Sequence, residues 1–564
     1  MNWLSRRCLA PIAAMTLVVT ACAGGSTGDE DTDAPDAAAS EDEEAGDDDV
    51  GEDDEATAPS GDPSGTLRIA RPDDVRALNP LRQANNATSE VTYQIHEGLV
   101  TLDVDQEVVP VLASEWQLLD DDLTYRLTLR EGVSFHSGEP FNAEAVKWNM
   151  ERQLFDDPPG IASGLLPEHE AVEVVDEYTV DMVLAEPAGV YMEILAAPLF
   201  MMMDPSQWEE LGEEGYDDAP SGTGPFMLDD WAPDERVELV ANPEYWDTDN
   251  GPLVERVVFE VMPEASSRTI ALQNGEVDMI FALPAEDVDS FAGSDEHQVY
   301  TVPSMRAAHI GLNTVDPVIG DIDVRRALAH ATDRDQIDTV IGENGVRVDG
   351  IGTPDAFGYF PSTLPFEPDT AEALLDDAGW TRDGDGIRQR DGQDLEVEVM
   401  TAGTAPGQNE ALQVMQQQWQ QVGVRMEISL IDGGALNAQL ESEAGDHEED
   451  STNLPDYQGF MLASGIRTGE VGYILGRPQC DSGNRNHERH CNPEYDEAFA
   501  LSQSTASPEE RLEGFEVMAR IFEEEVLRLP IYVINLNVAA STSVQGFELN
   551  PNEALDLRGV SIDS

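Results

Sequence analysis

Lysine is almost missing from this chain: of 30 basic residues only Lys147 is a lysine, and the rest are arginine. Against them stand 114 acidic residues, for a net charge of −84. Such a surface excludes nucleic acid as a partner, because phosphate contact needs clustered lysine and arginine. The common hydrolytic motifs are absent as well: there is no HExxH, no Gly-x-Ser-x-Gly and no Walker loop. His487-Glu488-Arg489-His490 falls one residue short of the zinc-protease spacing, so its histidines do not share a helix face in that manner. No catalytic residue, cofactor or metal is therefore assigned, and an enzyme is not expected. Cysteine is scarce, with four residues, and the apolar run Cys8 to Ala21 is too short to span a bilayer.

That run is the right length for the core of a signal peptide, and Arg6-Arg7 precede it. It ends Val19-Thr20-Ala21-Cys22, similar to a bacterial lipobox, in which the cysteine takes a lipid; an ordinary secretory signal with an incidental Cys22 is the alternative. Ser5-Arg6-Arg7 leaves twin-arginine export open beside the general secretory route. Directly after the cysteine comes an acidic stretch: 16 of the 27 residues from Asp29 to Glu55 are Asp or Glu. Such a segment cannot bury enough apolar surface to offset its ordering entropy and is expected to be an extended tether. Residues 63–564 keep 97 acids against 28 bases, a net −69. Acid excess with arginine in place of lysine fits a high-salt habitat, or a GC-rich genome that favours arginine codons.

With 564 residues and 40% hydrophobic composition, two or three cores are expected. Thr66 to Ala70 reads as a first strand, and Thr88 to Val100 as a helix running into a short strand. Leu123, Tyr125, Leu127 and Leu129 alternate with polar residues, which predicts a strand with those four inward. Asn142 is placed to cap a helix through Val146 and Asn149. Ala308 to Asn313 reads as a short buried strand, broken by Asp316-Pro317, with Asp321 capping the helix behind it. Beyond it, helix stripes (Ala371, Leu374, Leu375, Ala378; Leu412, Met415, Trp419, Val422) alternate with strands (Leu395 to Val399; Val424 to Leu430). Ser507-Pro508-Glu509-Glu510 opens the last long helix, and 531–536 reads as a buried strand returning to the first half.

Cys480 and Cys491 flank two histidines. A zinc site from Cys480, His487, His490 and Cys491 is conceivable, but in an exported chain the spacing favours a disulfide closing a surface loop. Asp383-Gly384-Asp385-Gly386 hints at a calcium loop, but Ile387 stands where an EF-hand needs a ligand, so a tight turn is the reading.

Several stretches taken together resemble the large peptide/nickel-type (family 5) solute-binding proteins of ABC importers. They are Leu78-Asn79-Pro80-Leu81, Leu123 to Ala145, Gly222 to Phe226, Asn242 to Trp246, Arg268 to Asp278, Gly311-Leu312-Asn313 with Asp323 to Leu328, Glu372 to Trp380 and Asn492 to Asp496. The resemblance implies an α/β, bilobed periplasmic-binding-protein-like fold of type II with an extra subdomain in the first lobe. The expected division is a signal peptide at 1–21, the lipidated Cys22 and linker at 22–62, a first lobe at 63–306 with its subdomain near 96–200, a second lobe at 307–528, and a return to the first at 529–564. Strands 308–313 and 531–536 are the expected hinges. A monomer is expected, lipid-anchored outside the cytoplasm, which delivers a peptide or similar amine-bearing solute to permease subunits; a nickel or metal-chelate binder, a surface sensor and a chaperone are the alternatives. Peptide-binding members place a tryptophan and an aspartate after the strand corresponding to Tyr457–Leu462, the aspartate holding the ligand's ammonium. Here that loop carries Ser464, Arg467 and Glu470, and Glu470 is the nearest acid to that role. The cleft residues expected by this register are Asn85, Asn86, Arg306, Thr404, Ser464, Arg467, Glu470 and Tyr473. No arginine lies between Gly403 and Asn409 to hold a carboxylate.

Overall fold

A computed structural model describes residues 63–563, apart from 83–85, 156–164, 198, 363, 383, 385, 442–456, 467 and 481. The signal segment, Cys22, the acidic tether, Asn85, Asp383, Asp385, Arg467 and the side chain of Asn86 lie outside the described residues.

One mixed sheet runs through the molecule. Its ten strands in hydrogen-bonded order are Arg425–Leu430, Glu396–Thr401, Gly459–Gly465, His297–Leu312, Arg528–Ser541, Met279–Phe281, Thr66–Arg71, Arg256–Val261, Arg236–Ala241 and Phe226–Ala232. An eleventh, Gly345–Arg347, pairs with Arg528–Ser541. The two long strands at the centre are antiparallel neighbours and belong to both halves. On one side of them Leu67, Ile69, Phe226 and Phe259 form a core, and on the other Ile310, Leu328, Val397 and Trp419 form a second. The C-terminal segment returns to the first: Val544, Phe547, Leu555, Leu557 and Val560 pack in its core.

A separate four-stranded antiparallel sheet, in the order Ala113–Leu118, Thr124–Leu129, Thr179–Leu184, His169–Asp176, has its own core with Phe141 and with Val146 and Met150 of the helix Ala143–Phe155. Asn142 caps that helix, its Oδ1 accepting from the amides of Glu144 and Ala145 at 3.1 Å each. The strand Thr124–Leu129 differs at its start from the alternation read in the sequence. Thr124 is buried and Leu123 only half-buried, because the Thr124 hydroxyl donates to Asp121 Oδ2 at 2.7 Å and so enters without an unmet polar group.

The strand expected at 308–313 is sixteen residues long, His297–Leu312. Its first half is half-exposed and carries Gln298, Thr301 and Pro303, a pattern with neither clean alternation nor a continuous apolar run. Gly311 is fixed by packing: Phe460 lies on it, and a Cβ there would sit 2.1 Å from the ring. Asp321 and Ser507 cap the helices Ile322–His330 and Pro508–Glu525, as their spacing implies.

Candidate ligand cleft

The two long strands are in register from His297–Ser541 to Pro303–Asn535, again at Ala307–Val533 and Ala308–Tyr532, and, after a second shift, from His309–Pro530 to Gly311–Arg528. Between the first two of these stretches three residues, Ser304, Met305 and Arg306, stand opposite Ile534 alone. The ladder opens there, and a cavity of about 450 Å³ lies against it. Phe281, Leu283, Ile534 and Phe547 supply apolar wall, while Arg71, Asp73, Glu90, Arg306 and Glu553 supply charge. Arg306 pairs with Glu553 at 3.5 Å, and Arg71 with Glu90 at 2.7 Å. Arg71 is buried and its Nε and Nη1 meet no hydrogen-bond partner. Burial pushes the Glu90 carboxyl up to about 7; Arg71 opposes this, and the like charges of Glu553 and Asp73 add to it. Glu90 thus changes charge near neutrality.

A second cavity, of about 560 Å³, lies where the extra subdomain meets the other half. Leu165, Val190 and Ile194 come from the subdomain side, and the rest of the wall from residues 441–503. The two sides touch closely: the Gly189 amide donates to Gln503 O at 2.8 Å, and a Cβ at Gly189 would fall 1.7 Å from Thr505 O. Arg511 completes the contact, with Nη1 on Glu193 Oε1 at 3.1 Å and Nη2 on Glu470 Oε2.

Glu470, expected as the ammonium anchor, lines this second cavity. The residue is 2% exposed, one carboxylate oxygen is held by Arg511, and the other accepts from Gln503 Nε2 at 3.5 Å. A carboxylate neutralised in this way is a structural ion pair, not an open anchor for a ligand ammonium. Arg306 lines the first cavity and Tyr473 the second. Ser464 is buried opposite Ala307 and lines neither cavity. Thr404 is exposed outside both, although its neighbour Pro406 lines the first. Asp73, Glu90, Glu553, Thr468 and Arg477 were not singled out by sequence, and His487 was singled out only as a conceivable zinc ligand. Only the fold brings them to cavity walls, and no motif marks them.

Beside the second cavity lies a fully buried ion pair, Arg528 Nε to Glu488 Oε1 at 2.5 Å, with side chains 1% and 0% exposed. Arg528 Nη1, Glu488 Oε2, His309 Nε2 and His487 Nδ1 find no hydrogen-bond partner. Burial lowers His487 to about 4 and holds His309 well below the usual imidazole range, and Arg528 and Arg477 push both the same way. Arg528 also opposes burial at Glu488, whose carboxyl stays below its ordinary value.

Cys480 and Cys491 form a disulfide with Cα atoms 4.4 Å apart, so neither thiol is available to the conceivable zinc quartet. His490 Nδ1 is 2.9 Å from Pro478 O. Among the described residues no group of three or more His, Cys, Asp or Glu is placed to hold a metal ion.

A chain of this build, two halves joined by continuous strands with cavities where they meet, defines a bilobed binding protein. Residues 107–454 match the family model of bacterial extracellular solute-binding proteins, family 5 Middle. The chain belongs to this family, the solute-binding proteins of ABC importers. The glutathione-binding protein GsiB of Salmonella typhimurium is 27% identical over 479 residues, covering 84% of this chain and 90% of that protein. Among solved structures, NikA from Brucella suis in complex with Fe(III)-EDTA is similar with a TM-score of 0.78 at 23% identity, over 89% of this chain and 100% of that one. The oligopeptide-binding protein AppA from Bacillus subtilis, in complex with a nonapeptide, is similar with a TM-score of 0.73 at 21% identity, over the same shares. The fold is the type II periplasmic-binding-protein fold. These relatives are binding proteins, not enzymes, and the family is extracytoplasmic. Among the described residues no helix is long and apolar enough to cross a membrane.

Proposed function

We propose that this chain is the membrane-tethered capture component of an ABC importer. It encloses a peptide or similar amine-bearing organic solute between its lobes, 63–306 with 529–564 against 307–528, and delivers it to the permease. Cys22 carries the lipid, and the acidic stretch behind it gives the binding protein reach.

The observation that carries the ligand class is the lining of the cavity at the opened ladder. Asp73, Glu90, Glu286, Glu548 and Glu553 outnumber Arg71 and Arg306, against an apolar wall that includes Phe281 and Phe547. An ammonium taken out of water there meets a net negative field, and an apolar side chain meets the wall. The amine is assigned to these acids because Glu470 is committed to Arg511. Glutathione, which the 27% identical relative is named for binding, is itself an amine-bearing peptide and supports the reading.

Native mass spectrometry with a pool of synthetic tripeptides, and with the same pool N-acetylated, tests it. Retention of the free-amine pool alone is expected. Asp73→Asn with Glu553→Gln is expected to weaken that retention about tenfold or more. Binding should also weaken as pH falls through the Glu90 value of about 7, since Glu90 then takes a proton and the cavity loses negative charge. Equal retention of the acetylated pool would refute the amine assignment.

A further inference from the structure

Resting on the reading of this chain as a solute-capture protein, we propose that the second cavity is an anion subsite, in which Arg477 receives a carboxylate of the solute. Thr468 and His487 supply polar wall around it.

Other arginines that form no ion pair with a described carboxylate, the buried Arg268, Arg325 and Arg334, donate instead to backbone carbonyls. Thirteen of the described arginines that form ion pairs do so at 3.0 Å or less, including exposed ones such as Arg347, Arg382 and Arg520. Arg477 makes no ion pair with a described carboxylate; its guanidinium carbon lies 5.7 Å from the ring of Tyr473, with which it also shares a side-chain hydrogen bond. The acid that acts on it electrostatically, Glu488, is held by Arg528, whose own positive charge adds to that of Arg477. Among the described residues, two guanidinium groups therefore share one buried carboxylate at the cavity wall.

Burial disfavours that charge, and the like charge of Arg528 opposes it further, so the Arg477 pKa lies below its ordinary value. A ligand anion reverses both effects by supplying the missing counter-charge. The neighbouring wall is suited to a polar group. Thr468 is 4% exposed and its Oγ1 has no hydrogen-bond partner, and neither has His487 Nδ1. His487 is held neutral near pH 7 by burial, so its ring offers a hydrogen bond without adding charge.

The acids of this wall do not cancel the effect. Glu470 is neutralised by Arg511, and Glu441 is exposed, where water screens it. Because Val190 and Ile194 face these residues from the subdomain, a solute seated here contacts both halves.

The test compares tripeptides bearing free C-termini with their C-amidated twins, followed by intrinsic tryptophan fluorescence, with succinate and inorganic phosphate as separate arms. Wild-type protein is expected to bind the free acids about tenfold or more tightly than the amides. Arg477→Gln should erase that preference, and Arg477→Lys should keep part of it, with melting curves to show that both variants fold. If no peptide binds but succinate does, and Arg477→Gln abolishes it, the anion subsite stands and the peptide reading falls. If phosphate binds in preference to every carboxylate, the carboxylate assignment is overturned. The proposal is also overturned if wild type does not discriminate acid from amide, if Arg477→Gln still does, or if none of the probes binds.

Discussion

Replacing Arg511 by methionine tests how the two sides of the second cavity are held. Arg511 is 4% exposed and bridges Glu470, also buried, to Glu193, which is 29% exposed. Methionine fills much of the volume but leaves the Glu470 carboxylate with only the Gln503 amide at 3.5 Å. Breaking a buried pair by removing one partner costs about 3–5 kcal/mol, because an uncompensated charge stays behind. Glu193→Gln removes only the half-exposed arm and should cost about 0–1 kcal/mol. Restoring neutrality with Glu470→Gln in the Arg511→Met background should return most of the loss. The pH dependence has a definite sign. In Arg511→Met the buried, unpaired Glu470 favours its protonated form, so its folded pKa lies above the unfolded value. Stability is then regained as pH falls and lost as it rises. Urea unfolding followed by tryptophan fluorescence, from about pH 8 to about pH 5, should show the deficit shrinking toward acid. An Arg511→Met midpoint indistinguishable from that of Glu193→Gln, or a deficit independent of pH, would refute the assignment of Glu470 to a buried ion pair.

Two further outcomes are expected. Cys22→Ala should release the protein from the membrane into the medium, as followed by fractionation and immunoblot, and unchanged retention would exclude the lipid tether. With a net −69 on residues 63–564, the melting temperature should rise from dilute buffer to about molar NaCl as screening relieves self-repulsion, and a flat curve in calorimetry would contradict that account.

Local rules made much of the scaffold legible. Asp321, Asn142 and Ser507 announce helix starts because a side-chain oxygen before an amphipathic run has one good use. The core positions Val397, Val399, Trp419 and Leu412 follow from periodicity alone. The outer half of His297–Leu312 was hidden because its side chains are half-exposed, leaving backbone pairing with no sequence pattern to betray it. The cleft was harder for a different reason. Glu470 could be placed in a loop by register, but its partner Arg511 is 41 residues away on another helix, and nothing local marks the pairing. Arg477 reads as one arginine among many until the fold shows that Glu488, the acid acting on it, is held by Arg528.

The shared ladder of the two long strands also constrains how the protein can move. Sliding one half past the other would shear the paired stretches His297–Pro303 and Ala307–Gly311 and break their hydrogen bonds together. Bending across the ribbon disturbs little, because Ser304, Met305 and Arg306 already face a single residue and carry slack backbone. The halves are therefore coupled as a flexure with essentially one soft direction. The opened stretch of that ladder lies against the acidic cavity, so a bend there would reshape the cavity wall at Arg306 and Ile534.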